Sequence, residues 1–371
     1  MIFNGHKELI TQEYSRNSVV TRGMHLIPIN GQSILSFSGW KMAIALARTL
    51  CSNHLDIKEF YYDFISSIFS LSLIVHRPMN NFRLRSNRLN RLRDFSRTNK
   101  IGELGQAAVW LYLMENGYPY INDFDFFCNQ NGIVVPANSS TPDFVAQNSA
   151  TSINLCLAES KAKETVSTTR LKSNLKDGLN QCDSGESLIN GNGNTHFNIV
   201  KKLAFCTEFS DENNQTNSQL NFSDPENIND ILDTNDLPLR IHYASWFYII
   251  GDFDNVMNLI NRKPIEFNEK RFQKRNINGV DFWTIKIFDI LIDTYERHFM
   301  ELFKWFYHPY IFKCEDVKLG ISDNVIKYLK NTDYAMEIEK YKSESKNNYE
   351  IFVDGTIIVD IPKYEGERSY S

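Results

Sequence analysis

The feature that most constrains the fold is the change of hydrophobic period between Ile101 and Glu208. Ile101–Asn116 (IGELGQAAVWLYLMEN) carries apolar residues at helical spacing, with Gly117 placed as its stop. Short runs rich in Phe, Ile and Val follow at Phe124–Phe127, Gly132–Pro136, Phe144–Gln147 and Ile153–Glu159, divided by Asn, Ser, Thr and Gly, which reads as strands and turns. A helical period returns over Thr168–Cys182, with Leu171, Leu175 and Leu179 on one face, and Lys202–Glu208 reads as another strand. This order of helix, strands, helix and strand predicts an α/β fold, a mixed sheet flanked by helices.

The flanking regions read differently. Gly39–Ser52 and Ile57–His76 have helical spacing, so a helical N-terminal region is expected over 1–100, with a short strand around His25–Phe37. Ser184–Thr195 and Ser210–Asp236 read as loops, and 209–236 as an acidic polar linker. From Leu237 the chain is aromatic and its spacing helical again, through IHYASWFYII and VDFWTIKIFDILIDTYERHFMELFKWF. It ends in a hairpin, Tyr349–Phe352 and Thr356–Ile361 joined through Asp354-Gly355. The expected organisation is therefore 1–100, a core at 101–208, a linker at 209–236 and a mainly helical region at 237–371.

A net charge of −5 hides an asymmetry: residues 1–100 hold 14 Lys or Arg against 6 Asp or Glu, while Glu208–Asp236 holds 8 acids and no base. One end could face a polyanion. Six scattered cysteines without a CxxC pair fit reduced thiols rather than a disulfide scaffold or a zinc site. The opening MIFNGHKELITQEY lacks the order of a signal peptide, and the most apolar window, Phe64–Val75, is short and interrupted by serines. A cytoplasmic protein with no membrane span is expected. No GxxxxGK[ST] or HExxH motif is present, and His242, His298 and His308 read as core or interface histidines.

Chemistry concentrates at Thr141-Pro142-Asp143-Phe144 and, 16 residues after Asp143, at Glu159-Ser160-Lys161. Side chains alternate along a strand, so Glu159 and Lys161 share a face and Ser160 points away. If the two strands pair, the Asp143 and Glu159 carboxylates come within reach of one hard cation such as magnesium, with Lys161 beside it. Such an ion acidifies bound water and neutralises charge building on a phosphodiester, and the lysine can orient the nucleophile or stabilise the transition state.

On these residues the sequence resembles the PD-(D/E)XK nuclease superfamily, whose fold is restriction-endonuclease-like. Pro142-Asp143 stands as the PD and Glu159-Ser160-Lys161 as the (D/E)XK, while Glu103 in GELGQ and Gln181 in LKDGLNQ occupy the polar positions on the flanking helices. The resemblance covers residues 103–208. It implies that Asp143 and Glu159 bind Mg2+, with Mn2+ as a substitute and Glu103 in support, that Lys161 is catalytic and that Gln181 assists. It further implies an endonuclease acting on DNA, RNA not excluded, plausibly a restriction or anti-phage defence effector working as a homodimer or with a partner protein. The alternative is a catalytically silent DNA-binding or assembly subunit on the same fold.

Arg77–Lys100 is the densest positive stretch, with Asp94 its one acid. Arg83, Arg85, Arg88, Arg91 and Arg93, with Lys163 at the end of the ExK strand, are the candidate phosphate contacts.

Overall fold

The computed structural model describes residues 6–50, 66–68, 70–76, 78–149, 152–191, 197–224, 235–287, 289, 316–331, 338, 341–346 and 348–361. The chain divides into two compact units, Met1–His242 and Tyr243–Ser371.

The first unit contains, in chain order, β1 (His6–Ser15), α1 (Arg16–Val20), β2 (Ser33–Ser38), α2 (Gly39–Leu50), α3 (Ser86–Leu89) and α4 (Asp94–Glu115). There follow β3 (Tyr120–Asp123), α5 (Phe124–Gln130), β4 (Phe144–Gln147), β5 (Asn154–Lys163), α6 (Thr168–Gly191), β6 (Asn198–Glu208) and β7 (Gln219–Asp224). Helix α7 (Leu237–Ile249) spans the boundary between the units. The strands form one mixed sheet in the order β2-β1-β7-β6-β5-β4-β3, with β5 parallel to β6, β1 parallel to β7, and the other pairs antiparallel. The α/β class expected from the sequence is the observed one.

Helix α4 lies on one face of β5 and against α2, while α6 covers β5 and β6 on the other face. Two glycines permit this closeness. A Cβ on Gly105 of α4 would stand 2.4 Å from the Ala162 Cβ, and one on Gly178 of α6 would stand 2.9 Å from the Ala204 Cβ and 3.4 Å from the Glu159 Cγ. Leu171, Leu175 and Leu179 bury their expected face against Ala204 and Cys206, and Phe124, Phe127, Val145, Leu155 and Leu157 pack under the other end of α6. Strand β5 is buried from Asn154 to Glu159 and only then emerges, so its SKAK end meets solvent at the edge of the core.

Several expectations are corrected. The N-terminal region is not simply helical: β1 and β2 complete the sheet, and β1 was hidden because Lys7 and Gln12 occupy buried positions where an apolar alternation would show. The presumed linker contains β7, whose buried Asn221 and Ser223 likewise mask its period. Phe124–Phe127 is helix, because the Asp123 side chain caps α5 by accepting from the Phe126 N–H at 2.8 Å. Gly132–Pro136 forms no strand, and Ser184–Gly191 extends α6.

The second unit is not mainly helical among the described residues. Besides α7 it holds α8 (Phe253–Ile260), β8 (Gln273–Ile277), β9 (Val280–Lys286), β10 (Lys318–Ser322), α9 (Asp323–Lys330), β11 (Glu344–Lys346), β12 (Tyr349–Ile351) and β13 (Thr356–Val359). Its strands form an antiparallel sheet in the order β11-β12-β13-β10-β9-β8. VDFWTIK is a strand because Asn278-Gly279, both at positive φ, turn the chain back on β8. The Asp354-Gly355 hairpin forms as expected, with Gly355 at φ +78°. His298, His308, Cys51, Cys314 and Arg77 lie outside the described residues.

Arg83 is corrected as a phosphate contact. It is 6% exposed, and its guanidinium donates to the Asn214 carbonyl and, at 3.0 Å, to the Asn217 Oδ1, so it holds the loop ahead of β7. Truncation would remove these bonds and the packing of a buried side chain. Arg83→Ala should therefore cost about 2–3 kcal/mol in urea unfolding, whereas Arg91→Ala on the surface should stay within about 0.5 kcal/mol.

Candidate active site

Strands β4 and β5 pair antiparallel with Phe144 opposite Ala158, which sets Asp143 beside Glu159 where β4 begins. The two residues clasp each other's backbone. The Asp143 N–H donates to Glu159 Oε2 at 3.0 Å, and the Ser160 N–H donates to Asp143 Oδ2 at 2.8 Å. Lys161 lies two residues on, on the Glu159 face as alternation requires, and its Nζ donates to Glu159 Oε1 at 2.5 Å. Glu159 is 3% exposed while the Lys161 side chain is 33% exposed, so the lysine closes the solvent side of the pair.

Both carboxyls are pushed above the ordinary carboxylate range. Burial is the main cause at Asp143, opposed by the Ser160 and Gln106 hydrogen bonds. Glu159 rises to about 8, first through burial and then through the neighbouring Asp143 charge, with Lys161 pulling the other way. Two acids this close, out of water, retain a proton near neutral pH as a pair. The folded chain then binds more protons than the unfolded chain between about pH 4.5 and 8, so the stability of the metal-free protein should fall as pH rises through that window, by on the order of a few kcal/mol. Urea unfolding across this range should show the slope in wild type and a shallower one in Glu159→Gln, the remainder belonging to Asp143 and to Asp123, which burial raises to about 7.

The other candidates distribute unevenly. Gln181 on α6 reaches the same corner, its Nε2 donating to the Thr141 carbonyl at 3.4 Å, and its Oε1 is buried with no partner. Glu103 pairs with Lys100 at 2.5 Å and does not join the two acids. The residue of α4 that does reach them is Gln106, whose Nε2 donates to Asp143 Oδ1 at 3.0 Å. It sits one helical turn after Glu103 in the same GELGQ segment, whereas the resemblance had implied Glu103. Lys163 is half-buried at the end of β5. Arg85 is half-buried, while Arg88, Arg91 and Arg93 are exposed. His242 is a buried histidine, its Nδ1 beside the Ile121 backbone.

Among the described residues no three His, Cys, Asp or Glu side chains gather into a complete metal cage. Asp143 and Glu159 nevertheless suit a magnesium ion, which is commonly held by one or two carboxylates and keeps several waters. Burial and the neighbouring Asp143 charge make an ionised Glu159 costly, a cost that a bound cation would relieve, and the Gln181 Oε1, buried without a hydrogen-bond partner, could accept from a water nearby. No helix among the described residues is long and apolar enough to cross a membrane. Cys128, Cys156, Cys182 and Cys206 are buried free thiols.

The chain matches no protein-family model, no curated protein and no solved structure. The geometry of the corner therefore carries the functional argument.

Proposed function

We propose that the first unit is a magnesium-dependent nuclease with a restriction-endonuclease-like core, hydrolysing DNA phosphodiester bonds. The observation that carries this reading is the set of Asp143, Glu159 and Lys161, in which a half-buried and a buried acid, both with raised proton affinity, lie side by side beneath a half-exposed lysine. In this reading Asp143 and Glu159 hold the cation. When bound, the ion would neutralise charge on the phosphodiester and acidify water.

Lys161 changes partner on the way to reaction. With its Glu159 contact loosened, its ammonium is free to hold the attacking water or an oxygen of the phosphodiester. Gln106 keeps the Asp143 carboxylate aimed by donating to Oδ1, which leaves its remaining lone pairs for the cation. Gln181 holds the Thr141 carbonyl and so fixes the turn that delivers Pro142 and Asp143. DNA as substrate, and a restriction or anti-phage role, follow from the resemblance of the PD and ExK residues rather than from any group that distinguishes a 2′-hydroxyl.

The test is incubation of the full chain with supercoiled and linear DNA plus magnesium or manganese, beside folded Glu159→Ala and Lys161→Ala variants. Cleavage by wild type that disappears in both variants is the expected result. Salt-sensitive binding without cleavage in any of the three would replace the nuclease by a binding or assembly subunit.

A further inference from the structure

The exposed side of α4 carries a row of residues leading away from Gln106. Gly102, Asn99 and Phe95 precede it by four, seven and eleven residues, and these offsets place all four on one helix face. The row is about 16 Å long at the helical rise of 1.5 Å per residue. Its inner end is Gln106, bonded to Asp143. Its outer end is Phe95, 77% exposed. Between them Asn99 is exposed, and a Cβ on Gly102 would meet nothing within 4 Å, so the middle of the row is an unobstructed shelf.

Cations precede the outer end in sequence, with the exposed Asp94 between them and Phe95. Arg88, Arg91 and Arg93 are exposed just ahead of α4, and none has an ion-pair partner among the described residues. Neighbouring cations are committed instead: Arg97 is paired in bidentate fashion with Glu164, and Lys100 with Glu103. The Arg97 pair also ties the start of α4 to the segment just beyond β5, which fixes the direction of the row relative to the acids. Leu92 adds a second apolar group beside Phe95 at 37% exposure.

A large exposed ring among uncommitted guanidiniums fits a polyanion that also offers flat apolar faces. Nucleic acid has that chemistry. In a duplex the base faces are already stacked on one another, whereas in a single strand they are open to a protein ring. We infer that the ridge of α4 is a track for single-stranded nucleic acid, with Phe95 stacking on a base and Arg88, Arg91 and Arg93 on the backbone phosphates. The track runs down the helix face to the Asp143 corner. This inference rests on the nuclease reading and specifies its substrate as an unpaired strand or an unpaired region of a duplex.

The test is fluorescence anisotropy of the full chain with labelled oligo(dT), oligo(rU) and a blunt duplex of equal length, in EDTA so that nothing is cut. Phe95→Ala should weaken single-strand binding about tenfold and duplex binding less than twofold. Phe95→Trp should keep the affinity and show quenching of its indole on binding. Replacing Arg88, Arg91 and Arg93 together by Ala should weaken all three ligands and flatten the salt dependence. The oligo(dT) and oligo(rU) arms then identify the sugar that is preferred.

Unchanged single-strand affinity in Phe95→Ala, or an equal loss for the duplex, would overturn the track. Cleavage by wild type alongside that result would leave the nuclease reading standing. Phe95-dependent single-strand binding by a wild type that never cleaves would instead uphold the track and remove the nuclease.

Discussion

Glu159→Gln is expected to lower magnesium-dependent DNA cleavage by about 10³-fold or more while making the metal-free protein more stable at pH 8. The two effects have one origin. Burial and the adjacent Asp143 charge raise Glu159 to about 8, so ionising it inside the fold costs free energy that a neutral amide does not. The amide can still accept the Asp143 N–H bond now made by Oε2. It cannot supply the negative charge a divalent cation needs. The check is a plasmid-nicking rate in magnesium set beside the urea midpoint of the same preparation. Loss of both activity and stability would mark Glu159 as a structural residue and remove it from the proposed chemistry.

Gly105→Val should destabilise the fold by about 3 kcal/mol. The space for a side chain there is already filled by the Ala162 Cβ at 2.4 Å, and both atoms belong to rigid positions, one on a helix and one on a strand. Helix α4 would have to lift from β5, carrying Gln106 away from Asp143 and lowering cleavage as well. Gly102→Ala is the internal control, since a Cβ there meets nothing, and it should gain about 0.5–1 kcal/mol from helix propensity. Thermal or urea unfolding of the pair separates the two cases. Equal behaviour of the two variants would contradict the close approach of α4 to β5.

The chemistry-bearing strands were legible because their sequence and their environment agree. Residues 155–158 are apolar where β5 is buried and the strand is polar from Ser160, where it emerges, and Leu171, Leu175 and Leu179 repeat at the helical period on the face α6 buries. Where buried positions carry polar groups the period disappears. Lys7 in β1 and Asn221 and Ser223 in β7 are all interior, so a pattern read from hydropathy alone passes over both strands. Residue chemistry misled in a similar way at the arginine stretch. Arg83 differs from Arg91 only in what the fold wraps around it, and nothing local announces that one secures a loop while the other faces solvent. Gln106 shows the reverse case: it stands in the same GELGQ segment, but the resemblance pointed to Glu103 one turn earlier.

The position of β1 also dictates when the first unit can be completed during synthesis. It lies parallel to β7, with Ile10 opposite Gln219, a separation of about two hundred residues. At ribosomal speeds of about 5–20 residues per second, β1 waits roughly 10–40 s for β7 to emerge, its earlier partners being β2 and the segments around residues 27–29 and 80–82. An unpaired strand edge of that age invites pairing with other nascent chains. Lys7, Glu8 and Glu13 place charge along it during the wait. Lys7 is then enclosed, donating to the Met79 carbonyl, and burial lowers its ammonium to about 8. The same residue thus guards the strand while it is young and is sequestered once the sheet has closed around it.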